Sequence, residues 1–331
     1  MKCLVTGATG FLGSNLVHQL VLEGWDVRAS GMHGSETKHI RGLPIEIVLA
    51  DVTIAAEVDP LVKGCDVVFH VASDASSWSK TKQRQREVNV EGSINVAQAC
   101  MKFDVSRMVY TSTTAVLGYD PQGGCVDEEN ADFNCDGMRF NYGETKYQAQ
   151  KALEKLNQLG LDVVYMYPGF LIGPFDHSLQ LARVLFDLKN GKMPFTPVGG
   201  ASFCHVTEVA KAHIQAAKRG FSGEGYICAG LPKTNMSYHD FFTKMAFVIG
   251  VKPPKVKLGT RVLVIYGYLC EFVSRFTGKA PRINPGQARY MSVTHYSDSR
   301  KAVRELDYVV PIAEECIRDA VDWYQDQGHQ I

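Results

Sequence analysis

The stretch Thr6-Gly-Ala-Thr-Gly-Phe-Leu-Gly13 restricts the possible folds of this chain more than any other. It follows the apolar run Cys3-Leu4-Val5 and opens a segment, Phe11 to Glu23, in which Leu12, Leu16, Val17, Leu20 and Val21 recur at helical spacing. The pattern is strand, glycine turn, helix. Gly7 suits a tight turn, Gly10 a close approach of backbone to a pyrophosphate, and Gly13 the close packing of helix on strand. A helix starting there offers free N–H groups and the positive end of its dipole to phosphates, with Thr9, Phe11 and Leu12 completing the candidate turn. An ordinary glycine-rich βα turn is the bland alternative, but the motif's place directly after an apolar strand favours dinucleotide binding.

Asp26-Val-Arg-Ala-Ser30 reads as a second strand. An NAD site expects an acidic residue about twenty residues past the glycines, on the ribose 2′-hydroxyl. Ser30-Gly-Met-His33 stands there instead, so NADP is favoured over NAD. No arginine or lysine occupies this stretch, and His33 is the nearby residue able to carry a positive charge. Ile45 to Ala50 is a third strand; Asp51-Val52 at its end is placed to read the adenine amino group, unless Asp51 merely caps the next turn. Val67-Val-Phe-His-Val71 is nearly all apolar, as a strand covered on both faces should be. Val71, Ala72 and Ser73 then leave room for a cofactor. A long helix is expected from about Thr81 to Phe103, carrying Asn89. Arg107 to Thr111 is a fifth strand, and the hydroxyls of Thr111, Ser112, Thr113 and Thr114 gather at its carboxyl end, where open α/β sheets place ligands. The alternation predicts an α/β chain with a doubly wound parallel sheet.

Asn141-Tyr142-Gly-Glu-Thr-Lys146 opens a further helix, to about Leu159. Tyr142 and Lys146, four apart, share one helical face, but so do Tyr147 and Lys151. At ~100° per residue the two pairs point about 140° apart, so only one faces the sheet. Tyr142, at the helix start and followed by the small Thr145, is the better candidate; Tyr147 and Lys151 then lie on a solvated or interface face. A free tyrosine titrates near ~10, too high for ready proton exchange at neutral pH, and an adjacent ammonium is expected to lower it. With Thr113 or Ser112 holding a substrate oxygen, these groups suit hydride exchange at a carbonyl carbon, Tyr142 moving the proton.

The 35 basic and 35 acidic residues balance, which gives no reason to expect nucleic acid or an anionic membrane as partner; a small molecule is expected. Nine cysteines and ten histidines show no zinc-type spacing, so no metal is expected. No secretory pattern opens the chain, and Val262 to Cys270, the most apolar run, is too short to span a bilayer. It reads as a buried helix or the lipophilic flank of a pocket, and a cytoplasmic location is expected.

The ordered set of motifs at 6–13, Asp51-Val52, His70-Val-Ala72, Asn89-Val-Glu-Gly92, Tyr110-Thr-Ser-Thr113, Tyr142-x-x-x-Lys146 and Tyr167-Pro-Gly-Phe-Leu-Ile-Gly-Pro174 resembles the extended short-chain dehydrogenase/reductase family. The likeness continues in Gly200 to Ala210, Ser297 to Ala302 and Asp319 to Tyr324. The resemblance implies a catalytic Thr113, Tyr142 and Lys146, with Pro168 and neighbours such as Leu171 lining the nicotinamide. It implies a Rossmann domain over 1–175, completed by segments near 204–230 and 290–300, and an interleaved, mainly substrate-binding part over 176–331. It also implies a homodimer through the long helices near 81–103 and 142–159.

Within the family, Tyr167-Pro168 and Ala201-Ser202 stand where nucleotide-sugar enzymes usually carry an asparagine and an Arg-Asp pair. Phe170, Leu171, Phe175, Phe195 and Phe203 suggest a less polar substrate. Gly118 stands where dihydroflavonol reductases carry an asparagine, so a flavonoid is not supported. The expected activity is NAD(P)H-dependent reduction of a ketone or aldehyde of a relatively apolar molecule, or oxidation of its alcohol. The alternatives are an epimerase or dehydratase of nucleotide sugars and a non-catalytic dinucleotide-binding protein.

Overall fold

The computed structural model describes residues 1–331 except Ser77, Ser178 and Pro194. Seven strands, all parallel, form the main sheet in the spatial order Gly225–Cys228, Val163–Pro168, Arg107–Thr111, Val67–His70, Lys2–Thr6, Asp26–Gly31 and Glu46–Leu49. The expected doubly wound sheet is thus present. Its strands are apolar because both faces are covered. Cys3 and Val5 point into one cluster with Leu16 and Leu20 of the first helix; Leu4, between them, points into the other with Val96 and Leu153. The chain order reverses between Lys2–Thr6 and Val67–His70, so a crevice opens at their carboxyl ends.

The helix expected over 81–103 is not one regular element. It runs as a 3₁₀ turn at Ser79–Thr81, an α segment at Lys82–Arg86, a π turn at Glu87–Glu91 and an α-helix at Gly92–Lys102. The π turn contains Asn89, which is fully buried and makes four hydrogen bonds outside the helix. Those tertiary bonds hold a geometry that apolar periodicity does not encode.

Smaller sheets cover one end. Met236–Ser237, Gly200–Ala201, Thr294–Ser297 and Cys125–Val126 form one; Phe170–Ile172 pairs with Phe203–His205, and Phe195–Pro197 with Val256–Leu258. A separate apolar cluster lies here, with Phe203 stacked on Phe241 at 3.9 Å between ring centroids.

The glycine turn depends on missing side chains. A Cβ on Gly13 would stand 2.0 Å from the Gly7 carbonyl oxygen, and Gly7 itself has φ +68°, with Ala72 backbone 2.7 Å from where its Cβ would be. Gly13→Ala is therefore expected to destabilise the fold by about 3 kcal/mol or more, since backbone cannot move aside. Gly24→Ala, at φ +76° with open space around it, should cost only about 1 kcal/mol from the left-handed backbone. Urea unfolding of both variants checks this; equal losses would refute the packing account.

Candidate active site

Gly10 is exposed and caps the helix Phe11–Leu22 with no side-chain hydrogen bond. The helix start is left open to a ligand, while Leu12 and Gly13 are buried beneath and Thr9 and Phe11 flank it, partly exposed. Thr9 lies against Gly31, whose Cβ would come within 2.8 Å of it. This cradle fits a pyrophosphate. Val71 and Ala72, which follow the adjacent strand, are partly exposed and Ser73 is exposed.

Tyr142 lies in the first turn of the helix Asn141–Gln158, and its hydroxyl is near enough to the side chains of Thr113 and Ser73 for both to pull its pKa down. Thr113 is extended, at the end of Arg107–Thr111, and its hydroxyl also accepts from the Ala115 N–H at 3.3 Å. Ser112, by contrast, is buried and donates to Gln150 Oε1 at 3.1 Å, so of the two candidate hydroxyls Thr113 is the one beside the phenol. Lys146 is buried, donates to the Thr111 carbonyl at 2.6 Å and stands 4.4 Å above the centre of the Tyr110 ring. The Thr111 hydroxyl shares a hydrogen bond with His213. Tyr147 instead stacks on Phe133 at 4.2 Å, and Lys151 pairs with Glu154 at the surface.

The charge balance of the pair differs from expectation. Burial pushes the Tyr142 phenol above its ordinary value, against hydrogen bonds from Thr113 and Ser73 that pull it down. Burial likewise draws the Lys146 ammonium down to about 7. The ammonium is aimed at a carbonyl and a ring rather than at the phenol, so here desolvation, not charge pairing, governs both groups.

Asn89, placed by sequence among the cofactor residues, is turned inward. Its Oδ1 accepts from Ser73 Oγ at 3.1 Å and the Asp74 N–H at 2.8 Å, while Nδ2 donates to the Asp74 carbonyl and to Thr145 Oγ1, both at 3.0 Å. Gln85 acts alongside, donating to the Asp74 and Ser76 carbonyls and accepting from Asn141 Nδ2. Together they tie the loop after Val67–His70 to the first turns of the Tyr142 helix. Gln85 has no local signature; only its burial identifies it.

At the far end of the crevice, residues distant in sequence converge. His33 pairs with Glu57 at 2.7 Å, and Glu57 also accepts the Asp51 N–H. Asp51 accepts from Thr53 and, at 2.6 Å, from Arg84 Nη2, which also lies 3.5 Å from Met32 Sδ. Burial raises the Asp51 carboxyl, but Thr53 and Arg84 more than offset this and hold it below its usual range. The Val52 carbonyl accepts from Asn95. The stretch that reads as lacking both a carboxylate and a guanidinium is therefore supplied with Glu57 and Arg84 by the fold.

A narrow cleft beside Tyr142 is lined by Ser76, Trp78, Gln85, Phe140 and Asn284, with Lys82 and Arg139 adding cations. The phenylalanines expected to make the site apolar do not line this cleft. Phe203 stacks on Phe241 with Phe170 tilted against both, Phe195 meets Tyr266, and Phe175 stacks on His18. Each meets another aromatic ring, as large aromatics do when a neighbouring element offers a matching face, although among them only Phe203 is buried. His177 stacks on His39, and the Tyr167 hydroxyl is bound to Gln150 in the core, so neither joins Tyr142. Pro168 ends its strand in the sheet and Leu171 is half-buried in the next. Among the described residues no cluster of three or more His, Cys, Asp or Glu could hold a metal.

Lys146 supplies a test of this electrostatic picture. With its folded value near 7 and its unfolded value near 10.5, the unfolded chain binds the extra proton between them, so stability from this group rises with pH across that window. Wild type should gain on Lys146→Met by up to about 1.4 kcal/mol per pH unit between neutrality and pH ~9. Parallel chemical denaturation at several pH values measures it, and a flat difference would show that Lys146 stays charged.

Comparison with known proteins follows this geometry. Residues 3–229 match the NAD dependent epimerase/dehydratase family. A Synechocystis protein whose name places it with dihydroflavonol 4-reductases is 28% identical over 330 residues, covering 98% of this chain and 95% of that one. The 3beta-hydroxysteroid-dehydrogenase/decarboxylase isoform 1 of Arabidopsis thaliana is 28% identical over 94% of this chain and 77% of its own length. Among solved structures, gox2253 superposes with a TM-score of 0.85 at 29% identity, over 99% of both chains. The UDP-glucuronic acid 4-epimerase of Bacillus cereus, solved with UDP-glucuronic acid and NAD, shares the fold with a TM-score of 0.77 at 19% identity, over 99% of this chain and 100% of that one. A glycine cradle, a Tyr-x-x-x-Lys helix over a parallel sheet and a family match across two-thirds of its length together make this chain a member of the NAD-dependent epimerase/dehydratase family, in the extended short-chain dehydrogenase/reductase branch.

Proposed function

We propose that this chain reduces a ketone or aldehyde of a relatively apolar small molecule, or oxidises the corresponding alcohol, with Tyr142 giving or taking the proton on oxygen. The observation that carries the reading is the closeness of the Tyr142 hydroxyl to the Thr113 and Ser73 side chains, Ser73 following the Ala72 backbone that abuts Gly7 in the open glycine turn. A nicotinamide dinucleotide held against Gly7, Gly10 and Gly13 supplies or takes up the hydride. Because burial keeps the phenol protonated at neutral pH, Tyr142 is suited to donate as negative charge develops on the carbonyl oxygen. Thr113 orients that oxygen. Lys146, bonded to the Thr111 carbonyl, fixes the helix against the strand end and is the nearby group able to change charge near neutrality.

NADP is the proposed partner, since Arg84 reaches Met32 and offers a 2′-phosphate a partly exposed guanidinium; NAD is the alternative, favoured by Glu57. Residues 1–175 with the 225–228 strand are proposed as the cofactor half and the smaller sheets as the substrate half. Ile94, Tyr147, Ala152 and Leu156 line a shallow depression of about 430 Å³ between Gly92–Lys102 and Asn141–Gln158, which supports a homodimer through these helices.

Lys82 and Arg139 at the cleft favour a second reading, an epimerase acting on an anionic nucleotide sugar. The assays separate the two. Tyr142→Phe should lower kcat for NADPH-dependent carbonyl reduction by about 10²–10⁴-fold with cofactor binding retained. Interconversion of sugar isomers without net change in cofactor absorbance would favour the epimerase, and tight NADPH binding with turnover of neither substrate class would indicate a non-catalytic role. Arg84→Ala should weaken NADPH about tenfold relative to NADH in calorimetric titration; equal effects on both would sink the NADP assignment.

A further inference from the structure

The helix Thr260–Thr277 is apolar on two opposite sides. Leu263, Gly267 and Ser274 are buried, packing with Ile283, Ala288 and Phe195 in a small separate cluster. A Cβ on Gly267 would stand 2.9 Å from the Asn284 carbonyl carbon, so the helix lies flush on the chain there. On the other side, Val262, Ile265, Leu269, Phe272, Val273 and Phe276 are 55% to 77% exposed. At ~100° per residue these six fall in an arc of about 100°, facing away from Leu263 and Gly267. None of them joins any hydrophobic cluster of the described residues.

The charge around this stripe is one-sided. Lys252, Lys255, Lys257, Arg261, Arg275 and Lys279 are all exposed, and none forms an ion pair among the described residues. Glu271 is the sole acidic residue between 251 and 282, in a chain whose basic and acidic residues are equal in number overall. The helix is not long and apolar enough to cross a bilayer. An exposed apolar face rimmed by unpaired cations is the chemistry of a segment lying in the headgroup layer of an anionic membrane. A second copy of this chain fits it poorly, because an isologous contact would set the same cations against one another.

We propose that the Thr260–Thr277 helix docks the protein peripherally on an anionic lipid surface, Phe272 and Phe276 entering the acyl boundary and the flanking lysines and arginines meeting the headgroups. Asn284, which Gly267 abuts, also lines the cleft beside Tyr142, so docking sets that wall of the cleft near the lipid. The docking stands whether or not the carbonyl-reductase reading holds. The full-length chain should co-sediment with phosphatidylcholine vesicles containing phosphatidylglycerol and far less with phosphatidylcholine alone, the binding falling as salt rises. The double variant Phe272→Ser/Phe276→Ser should lose about tenfold or more of this partitioning, as should Lys255→Gln/Lys257→Gln/Arg261→Gln on anionic vesicles only. Thermal unfolding and NADPH binding of both variants serve as controls for the fold. The proposal is overturned by absence of vesicle binding, by binding indifferent to the phenylalanines, or by a drop in oligomer size of the phenylalanine variant on gel filtration, which would mean that protein covers the stripe.

Discussion

Three backbone segments meet without intervening side chains at the carboxyl ends of the two central strands. Gly7 touches the backbone of Ala72, and Gly13 seats the first helix on the Gly7 carbonyl. The close approach sets where that helix begins and leaves its unsatisfied N–H groups facing the crevice. It also sets the position of Ala72 and Ser73, and Ser73 in turn is one of the two side chains that pull the Tyr142 phenol down. A methyl group at either glycine would therefore disturb the open helix start and the hydroxyls around Tyr142 together.

The second constraint is polar and buried. His70 sits in a wholly apolar strand, yet its ring spans Thr6 Oγ1 at 2.8 Å and Ser93 Oγ at 3.0 Å, joining two strands and a helix. Burial and the nearby Lys146 draw its value down to about 3, so it remains a neutral donor and acceptor. Asn89 does the corresponding work between the loop at Ser73–Asp74 and Thr145, one residue before Lys146. Such groups are costly to bury alone but rigid once every valence is met. The site is thus held by a frame of satisfied, buried polar side chains.

What was legible in the sequence was local. The strand-turn-helix at the glycines, the near-continuous apolar runs of the sheet strands and the 140° separation of the two Tyr-x-x-x-Lys pairs follow from local sequence alone, and Tyr147 indeed lies on the outer face against Phe133. What was illegible was convergence. Arg84 meets Met32 across 52 residues, Glu57 meets His33 across 24, and neither spacing has a signature. Aromatic pairing was equally illegible, since Phe170 and Phe203 meet Phe241, and Phe195 meets Tyr266, across stretches with no shared signature.

The one-dimensional chain determined the alternation of strand and helix, the place of the phosphate cradle and which tyrosine faces the sheet, because backbone sterics and helical period act over a few residues. Only the tertiary structure decided which charges share the far end of the crevice, that the phenol and its lysine are governed by desolvation, and that one face of the Thr260–Thr277 helix stays uncovered. Those outcomes depend on distance and water exclusion between segments, and neither quantity exists until the chain has folded.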